Sequence, residues 1–178
     1  MAISHAVQDY LKAIYKLGNG NGLEESVNTT LLSDYLDVSA ASTTNMVKKL
    51  AEIKLLAYTP YKGFALTKAG EKIALEVIRH HRLLEKYLAD TLGYAWDEVD
   101  AEAERLEHVI SEEFEDRIDR ALGFPKTDPH GDQIPGKDGS LEARDTERLS
   151  EIEAGRTVVI RRVSDNSAEM LRYMDDLG

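Results

Sequence analysis

Near the start of the chain, apolar residues recur every three or four positions: Val7, Tyr10, Leu11, Ile14 and Tyr15. That spacing places them on one helical face and predicts a helix over about residues 4–17. The run Gly18-Asn19-Gly20-Asn21-Gly22 ends it, because Gly and Asn tolerate the left-handed conformation. Leu31, Leu32, Tyr35 and Leu36 predict a second, short helix, and Asp37-Val38-Ser39 a tight turn. Ser39 or Ser42 can cap a third helix with Met46, Val47, Leu50 and Ile53 as its buried stripe. The pattern then becomes extended. Leu55–Thr59, a turn at Pro60-Tyr61-Lys62-Gly63, and Phe64–Leu66 predict a β-hairpin.

Thr67 caps a long helix to about Leu92, and a turn around Gly93-Tyr94 leads to another from about Asp97 to Leu122. Val99, Ala103, Leu106, Ile110 and Phe114 form the apolar stripe of that second long helix. Residues 123–140 hold three of the four prolines and four glycines, and read as an irregular segment ending in a linker. Thr157–Ile160 predicts a strand and Ala168–Leu177 a short helix. The fold is therefore mainly α: an N-terminal winged helix-turn-helix over residues 1–72, a helical domain over 73–140, and a remainder at 141–178 too small to fold alone.

With 178 residues, 42% of them hydrophobic, the chain can bury a real core. Absence of cysteine excludes a disulfide framework, a thiolate zinc site, a cysteine nucleophile and an iron–sulfur cluster. No apolar run approaches the ~20 residues of a membrane helix, and MAISHAVQDY lacks the plan of a signal peptide. A soluble cytoplasmic protein without membrane partners is the expectation. The net charge of −11 argues at first against nucleic acid, but it is unevenly spread. Residues 1–72 carry +1, residues 73–140 carry −9 and residues 141–178 carry −3. The first domain can thus present a local basic face to DNA. No Gly-x-Ser-x-Gly, P-loop or Gly-x-Gly-x-x-Gly occurs, and an enzyme is not expected.

Two short helices followed by a hairpin place the second helix in the major groove, with its N-terminal residues at base edges. Those residues are Ser39, Ala41, Ser42, Thr44 and Asn45, all small or polar. Asn45 can pair with adenine, and Ala41 or a threonine methyl can touch the methyl of thymine. Lys48 and Lys49 follow one turn later, and Lys62 sits at the tip of the wing, all suited to phosphates. The same pattern also fits a winged helix that contacts protein, or a plain three-helix bundle.

The long helices carry a different chemistry. His81 and Glu85 are four apart and share a face. Asp100, Glu104, Glu107 and His108 span about 100° of arc on the next helix. Two facing helices could supply two imidazoles and several carboxylates to one site. Nitrogen and oxygen donors without sulfur suit Mn²⁺, Fe²⁺, Co²⁺ or Zn²⁺, and a carboxylate-rich set leans to Mn²⁺ or Fe²⁺. A wet acidic face fits the spacing too. A di-iron bundle enzyme does not, since Ile78 and Arg105 stand where its Glu-x-x-His motifs need glutamate. His80 points about 100° from His81 and reads as a surface residue. His5 and His130 have no assigned role.

The order winged helix, HHRLLEKYL, DAEAERLEHVISEEFEDRI, DPHGDQIPG resembles the diphtheria toxin repressor family of metal-dependent transcriptional regulators over about residues 6–137. His81-Arg82-Leu83-Leu84-Glu85, Glu104-x-x-Glu107-His108 and His130-Gly131-x-x-Ile134-Pro135 fall in order and at matching spacing. The resemblance implies that Asp9, Glu104, Glu107 and His108 form the principal metal site, with His81 and Glu85 as ligands beside it. Glu104 stands where the iron branch has cysteine, and Asp9 where it has methionine. Both supply oxygen in place of sulfur, as the harder Mn²⁺ prefers, so the manganese-responsive members are the nearer match. Lys12 stands where the manganese branch has glutamate, and Asp100 where the iron branch has histidine. Residues 150–178 look like the beginning of the SH3-like third domain of some members, with Asn166 and Glu169 near positions where it can lend ligands.

Taken together, the expectation is a homodimeric repressor that reads an inverted repeat of double-stranded DNA, with Mn²⁺ (or Fe²⁺) as co-repressor and metal-homeostasis genes as targets. The alternatives are a winged-helix regulator of an organic ligand and a metal-binding bundle with no DNA function.

Overall fold

The structure is a computed structural model that describes residues 3–19, 27–59, 63–143, 145–164 and 167–177. In chain order the elements are α1 (His5–Asn19), α2 (Thr29–Tyr35), α3 (Ala40–Glu52), β1 (Leu56–Thr59), β2 (Gly63–Leu66), α4 (Lys68–Leu92), α5 (Val99–Leu106), α6 (Glu112–Ala121) and α7 (Ala168–Leu177). A single 3-10 turn lies at Leu149–Glu151. The chain divides into two compact units, Met1–Ile78 and Arg79–Gly178, with the division inside α4. Among the described residues no helix is long and apolar enough to cross a membrane.

The first unit is mainly helical with one two-stranded sheet. Its core joins Val7, Leu11 and Ile14 of α1 to Leu32 of α2, Leu50 of α3, Leu56 and Phe64 of the hairpin, and Ala74 of α4. Asn28 starts α2, its side chain accepting from the Leu31 N–H at 2.9 Å. Asp37 takes a positive φ of 50° in the turn before α3, a conformation Asp tolerates better than most residues. Ser39 then caps α3, accepting from the Ser42 N–H at 3.2 Å. The expected stripe of α3 holds for Leu50 and for Met46 and Val47, which pack against this core. Thr43 and Leu50 are fully buried, whereas Ile53 is the helix C-cap and 40% exposed.

β1 and β2 pair antiparallel, Leu56 opposite Leu66 and Thr59 opposite Gly63, and the Phe64 N–H also donates to the Val27 carbonyl at 3.0 Å. This is the wing. Pro60–Lys62 at its tip, and with them the expected phosphate contact of Lys62, lie outside the described residues. Thr67 caps α4 as expected, accepting from the Gly70 N–H at 3.2 Å while its hydroxyl donates to the Lys54 carbonyl at 2.8 Å. Gly70 is needed there, since a Cβ would come within 2.2 Å of the Leu55 carbonyl oxygen.

The second unit packs Leu83, Leu84 and Leu88 of α4 against Val99 and Ala103 of α5, Ile118 of α6, and Ile134. Here the expected single helix from Asp97 to Leu122 is two. α5 ends at Leu106, and a turn through Glu107, His108 and Val109 intervenes. Ser111 restarts the helix, its side chain accepting from the Phe114 N–H at 3.2 Å. Glu112, Glu113 and Glu115 crowd the first turn of α6, where the helix dipole favours negative charge. The expected stripe breaks with the helix, and Phe114 is 44% exposed. The strand expected at 157–160 is not formed: these residues are irregular and Val159 is 76% exposed. A strand needs a partner ladder, and none of the described residues supplies one. α7 forms as expected and buries Leu171.

Candidate functional site

Helical geometry places the expected DNA-reading positions. Ala41, Asn45, Lys48 and Lys49 share one exposed face of α3, opposite buried Thr43 and Leu50. The other expected readers are already engaged. The Ser39 hydroxyl caps the helix and donates to Ser42 Oγ at 3.0 Å. Thr44 Oγ1 donates to the Ala40 carbonyl at 2.8 Å.

In the second unit, α4 and the α5–turn region bring six expected ligands together. His81 is buried at their centre. Its Nδ1 lies 2.6 Å from Glu107 Oε2 and 3.5 Å from Glu104 Oε2. Its Nε2 lies 3.3 Å from Asp100 Oδ1 and 3.5 Å from Glu85 Oε1. His108 Nε2 stands 3.4 Å from the other Glu107 oxygen. The break at residues 107–111 does not scatter the set, because Glu107 and His108 follow directly on α5, with the Glu107 N–H still bonded to the Ala103 carbonyl at 2.9 Å. Glu85 and Glu107 are buried, whereas Asp100 and Glu104 are about half exposed, on an open side through which an ion could enter. Asp9 stands on α1 in the first unit, half-buried. Lys12, on the same helix, is buried.

The cluster continues to Asp128 and His130. His130 Nδ1 lies 3.5 Å from Glu85 Oε1, the oxygen that also faces His81. Asp128 is beside it, and Glu85, Asp128 and His130 are all at most 5% exposed. One donor atom from each lies within 4.8 Å of the others, and the same holds for His81, Asp100 and Glu104. An ion with donor distances of about 2.0–2.6 Å spans atoms up to roughly twice that far apart. Glu85 Oε1 and His130 Nδ1 are buried with no hydrogen-bond partner among the described residues. Buried polar atoms are rarely left so, and a cation between them accounts for both. The signal for His130 was its place in His130-Gly131-x-x-Ile134-Pro135; nothing local marked Asp128.

The charges of these three groups are linked. Burial, then the charges of Glu85 and Asp132, push the Asp128 carboxyl up to about 7, with Arg82 pulling the other way. Burial opposes a charge on His130, but Glu85 outweighs it and, with the Trp96 carbonyl and Asp128, raises the imidazole to about 9. Burial likewise opposes ionisation of Glu85, yet His130 and His81 hold it well below the usual carboxylate range.

His80 is a correction. It is buried, not a surface residue, because α4 is enclosed on that side too. Its Nδ1 faces the Glu107 carbonyl at 3.0 Å and its Nε2 faces Glu115 Oε2 at 3.1 Å. Arg79 donates to Glu115 at 2.5 Å, to Asp119 at 2.6 Å and to the Pro135 carbonyl at 2.8 Å. Burial opposes the Glu115 charge, but bonds from His80 and Arg79 hold its carboxyl down at about 2. This network fixes the backbone of Glu107, and hence the turn that carries the ligands. Of the third-domain positions, Glu169 is exposed on α7, and Asn166 lies outside the described residues.

Comparison with known proteins agrees with both halves. Residues 2–64 match the family described as iron dependent repressor, N-terminal DNA binding domain. Residues 67–136 match iron dependent repressor, metal binding and dimerisation domain. The iron-dependent repressor IdeR of Mycobacterium tuberculosis (strain ATCC 25618 / H37Rv) is 34% identical over 95% of this chain and 77% of its own. A solved manganese-dependent transcriptional repressor in complex with manganese superposes with a TM-score of 0.89 at 41% identity, covering 97% of this chain and 78% of that one. ScaR with bound Cd²⁺ superposes with a TM-score of 0.81 at 35% identity, covering 96% and 78%. A winged helix ahead of buried N/O donors, matched from residue 2 to residue 136, places this chain in the iron-dependent repressor family of metal-dependent, DNA-binding transcriptional repressors.

Proposed function

We propose that this repressor responds to Mn²⁺, that residues 1–72 read DNA, and that residues 73–140 bind the metal and dimerise. The observation that carries the metal reading is the unbroken row His108, Glu107, His81, Glu85, His130, in which imidazoles and carboxylates alternate at 2.6–3.5 Å. Every donor is nitrogen or oxygen, as Mn²⁺ prefers. His81, Asp100, Glu104, Glu107 and His108 would hold one ion, and Glu85, Asp128 and His130 a second. The family resemblance assigns Asp9 to the first. A divalent cation supplies the positive charge that this acidic cluster lacks. Metal and DNA affinity would then be interdependent, typically by about 1–3 kcal/mol and reciprocally.

On α3, Asn45 and Ala41 read base edges while Lys48 and Lys49 bind phosphates. A C2 dimer presents two such helices about 34 Å apart and so reads an inverted repeat. The chain acts in the cytoplasm by binding and not by catalysis, and its targets are metal-homeostasis genes. The test is selection of genomic DNA fragments by the purified protein, in parallel with Mn²⁺ and with chelator. A shared inverted repeat enriched only with Mn²⁺ supports the reading. Equal enrichment in both conditions moves the sensing to another ligand, and none in either removes the repressor role.

A further inference from the structure

The residue preceding α5 that bears on the second cluster is Trp96, the one tryptophan in the sequence. His130 Nε2 lies 2.7 Å from the Trp96 carbonyl oxygen. A carbonyl can only accept, so Nε2 carries the hydrogen. The Trp96 ring also lies along the imidazole, with centroids 5.9 Å apart and planes 25° from parallel. The main chain of His130 is equally constrained. Its N–H donates to Asp128 Oδ1 at 2.9 Å, and its carbonyl accepts from the Val163 N–H at 3.0 Å. Four features of His130 are thus occupied, and Nδ1 alone has no hydrogen-bond partner among the described residues. It faces Glu85 Oε1.

The turn that presents the Trp96 carbonyl is itself held. The Glu98 N–H donates to the Ala95 carbonyl at 2.9 Å, the Tyr94 N–H to the Leu88 carbonyl at 3.1 Å, and Arg172 of α7 bonds Asp97 at 2.7 Å. A histidine ligand is oriented by whatever accepts from its other nitrogen, and such partners affect metal affinity nearly as strongly as ligands do.

We infer that Trp96 is the positioning residue of the second metal site: its carbonyl keeps the hydrogen of His130 on Nε2 and its ring holds the imidazole in plane, so that Nδ1 is offered to the ion. This rests on the reading of Glu85, Asp128 and His130 as a second site. The ring can be removed by mutation while the carbonyl stays, which separates the two contributions.

The experiment counts Mn²⁺ ions bound to the full chain by electron paramagnetic resonance. The wild type should bind two classes of ion, and His130→Ala should lose one. Trp96→Ala should weaken that same class by about 10-fold or more, leaving the other class unchanged, and Trp96→Phe should recover most of the loss. In the Cd²⁺-loaded wild type, imidazole nitrogen spectra should show the hydrogen of His130 on Nε2 and the metal on Nδ1. Trp96 emission should change on filling this class in Glu104→Ala, and not in His130→Ala. If His130→Ala keeps both classes, the second site falls, and Trp96 with it. If His130→Ala loses one class but Trp96→Ala binds both ions as the wild type does, the positioning role alone falls. The opposite tautomer, or equal loss of both classes in Trp96→Ala, also overturns it.

Discussion

The proposed recognition face of α3, polar but for Ala41, and the proposed ligand cluster of the second unit are built in opposite ways. Ala41, Asn45, Lys48 and Lys49 are exposed, lie within nine residues and need only a helix to share a face. His81, Glu85, Glu107, Asp128 and His130 are buried and drawn from a span of fifty residues. A surface that meets DNA keeps its groups solvated until the partner arrives, and losing one group costs only that contact. A buried cluster has already given up water, so each member relies on its neighbours or on an ion. Substitutions should therefore cost stability in the second unit, and affinity or specificity in the first.

The largest effect should come from Arg79→Met. It leaves Glu115 and Asp119 without their shared partner, and breaking a buried pair typically costs about 3–5 kcal/mol, to be read by denaturant unfolding. A cost below 1 kcal/mol would show that the buried network is no more fragile than a surface one. Next, Glu104→Ala and His108→Ala should abolish the metal-dependent gain in DNA affinity, of the order of 5–150-fold, without unfolding the chain. A DNA titration with and without Mn²⁺ reads this directly, and full retention in either variant removes that ligand from the site. Asn45→Ala should cost about 1–3 kcal/mol at a single base pair, visible as relaxed preference at one operator position. If the binding profile is unchanged, Asn45 does not read a base.

The pH response sharpens the contrast further. The metal-free imidazole of His130 is raised to about 9 beside Glu85. A raised histidine stabilises fully below its unfolded value of about 6.5, and that contribution is lost as pH rises through about 9. Thermal unfolding of the metal-free chain should show a decline over this window that His130→Ala lacks. The smallest effect belongs to the exposed pair Arg117–Glu113 at 2.6 Å on α6, where Arg117→Ala should cost no more than about 0.5 kcal/mol. A cost of several kcal/mol would erase the distinction between exposed and buried polar groups.

Much of this was legible in the order of residues, because helices announce themselves locally. The 3.6-residue period located α1, α2 and α3; Thr67 marked the start of α4 as expected, and Ser39, one of the two expected caps, starts α3. Donor types were legible too: an acidic, cysteine-free pair of helices with histidines at matching offsets points to a hard divalent cation. The same local reasoning failed where the cause was not local. The turn at 107–109 lies inside a stretch with continuous helical periodicity, and it was the cap at Ser111 that started α6 afresh. The angle between His80 and His81 predicts a surface position for His80, but an angle on one helix does not say what packs against it, and His80 is buried.

Taken by itself, the sequence determined the first four helices, the hairpin, the sharing of one face by residues 41, 45, 48 and 49, and the nitrogen and oxygen donor types, since each depends on residues a few positions apart. Tertiary structure alone decided that Asp128 and His130 meet Glu85, that the Trp96 carbonyl faces His130, that Arg79 meets the Pro135 carbonyl, and that His80 holds the turn at Glu107. Those meetings join positions 27 to 56 residues apart in the chain. No local period encodes them, and they arise only when burial forces each polar group to find a partner.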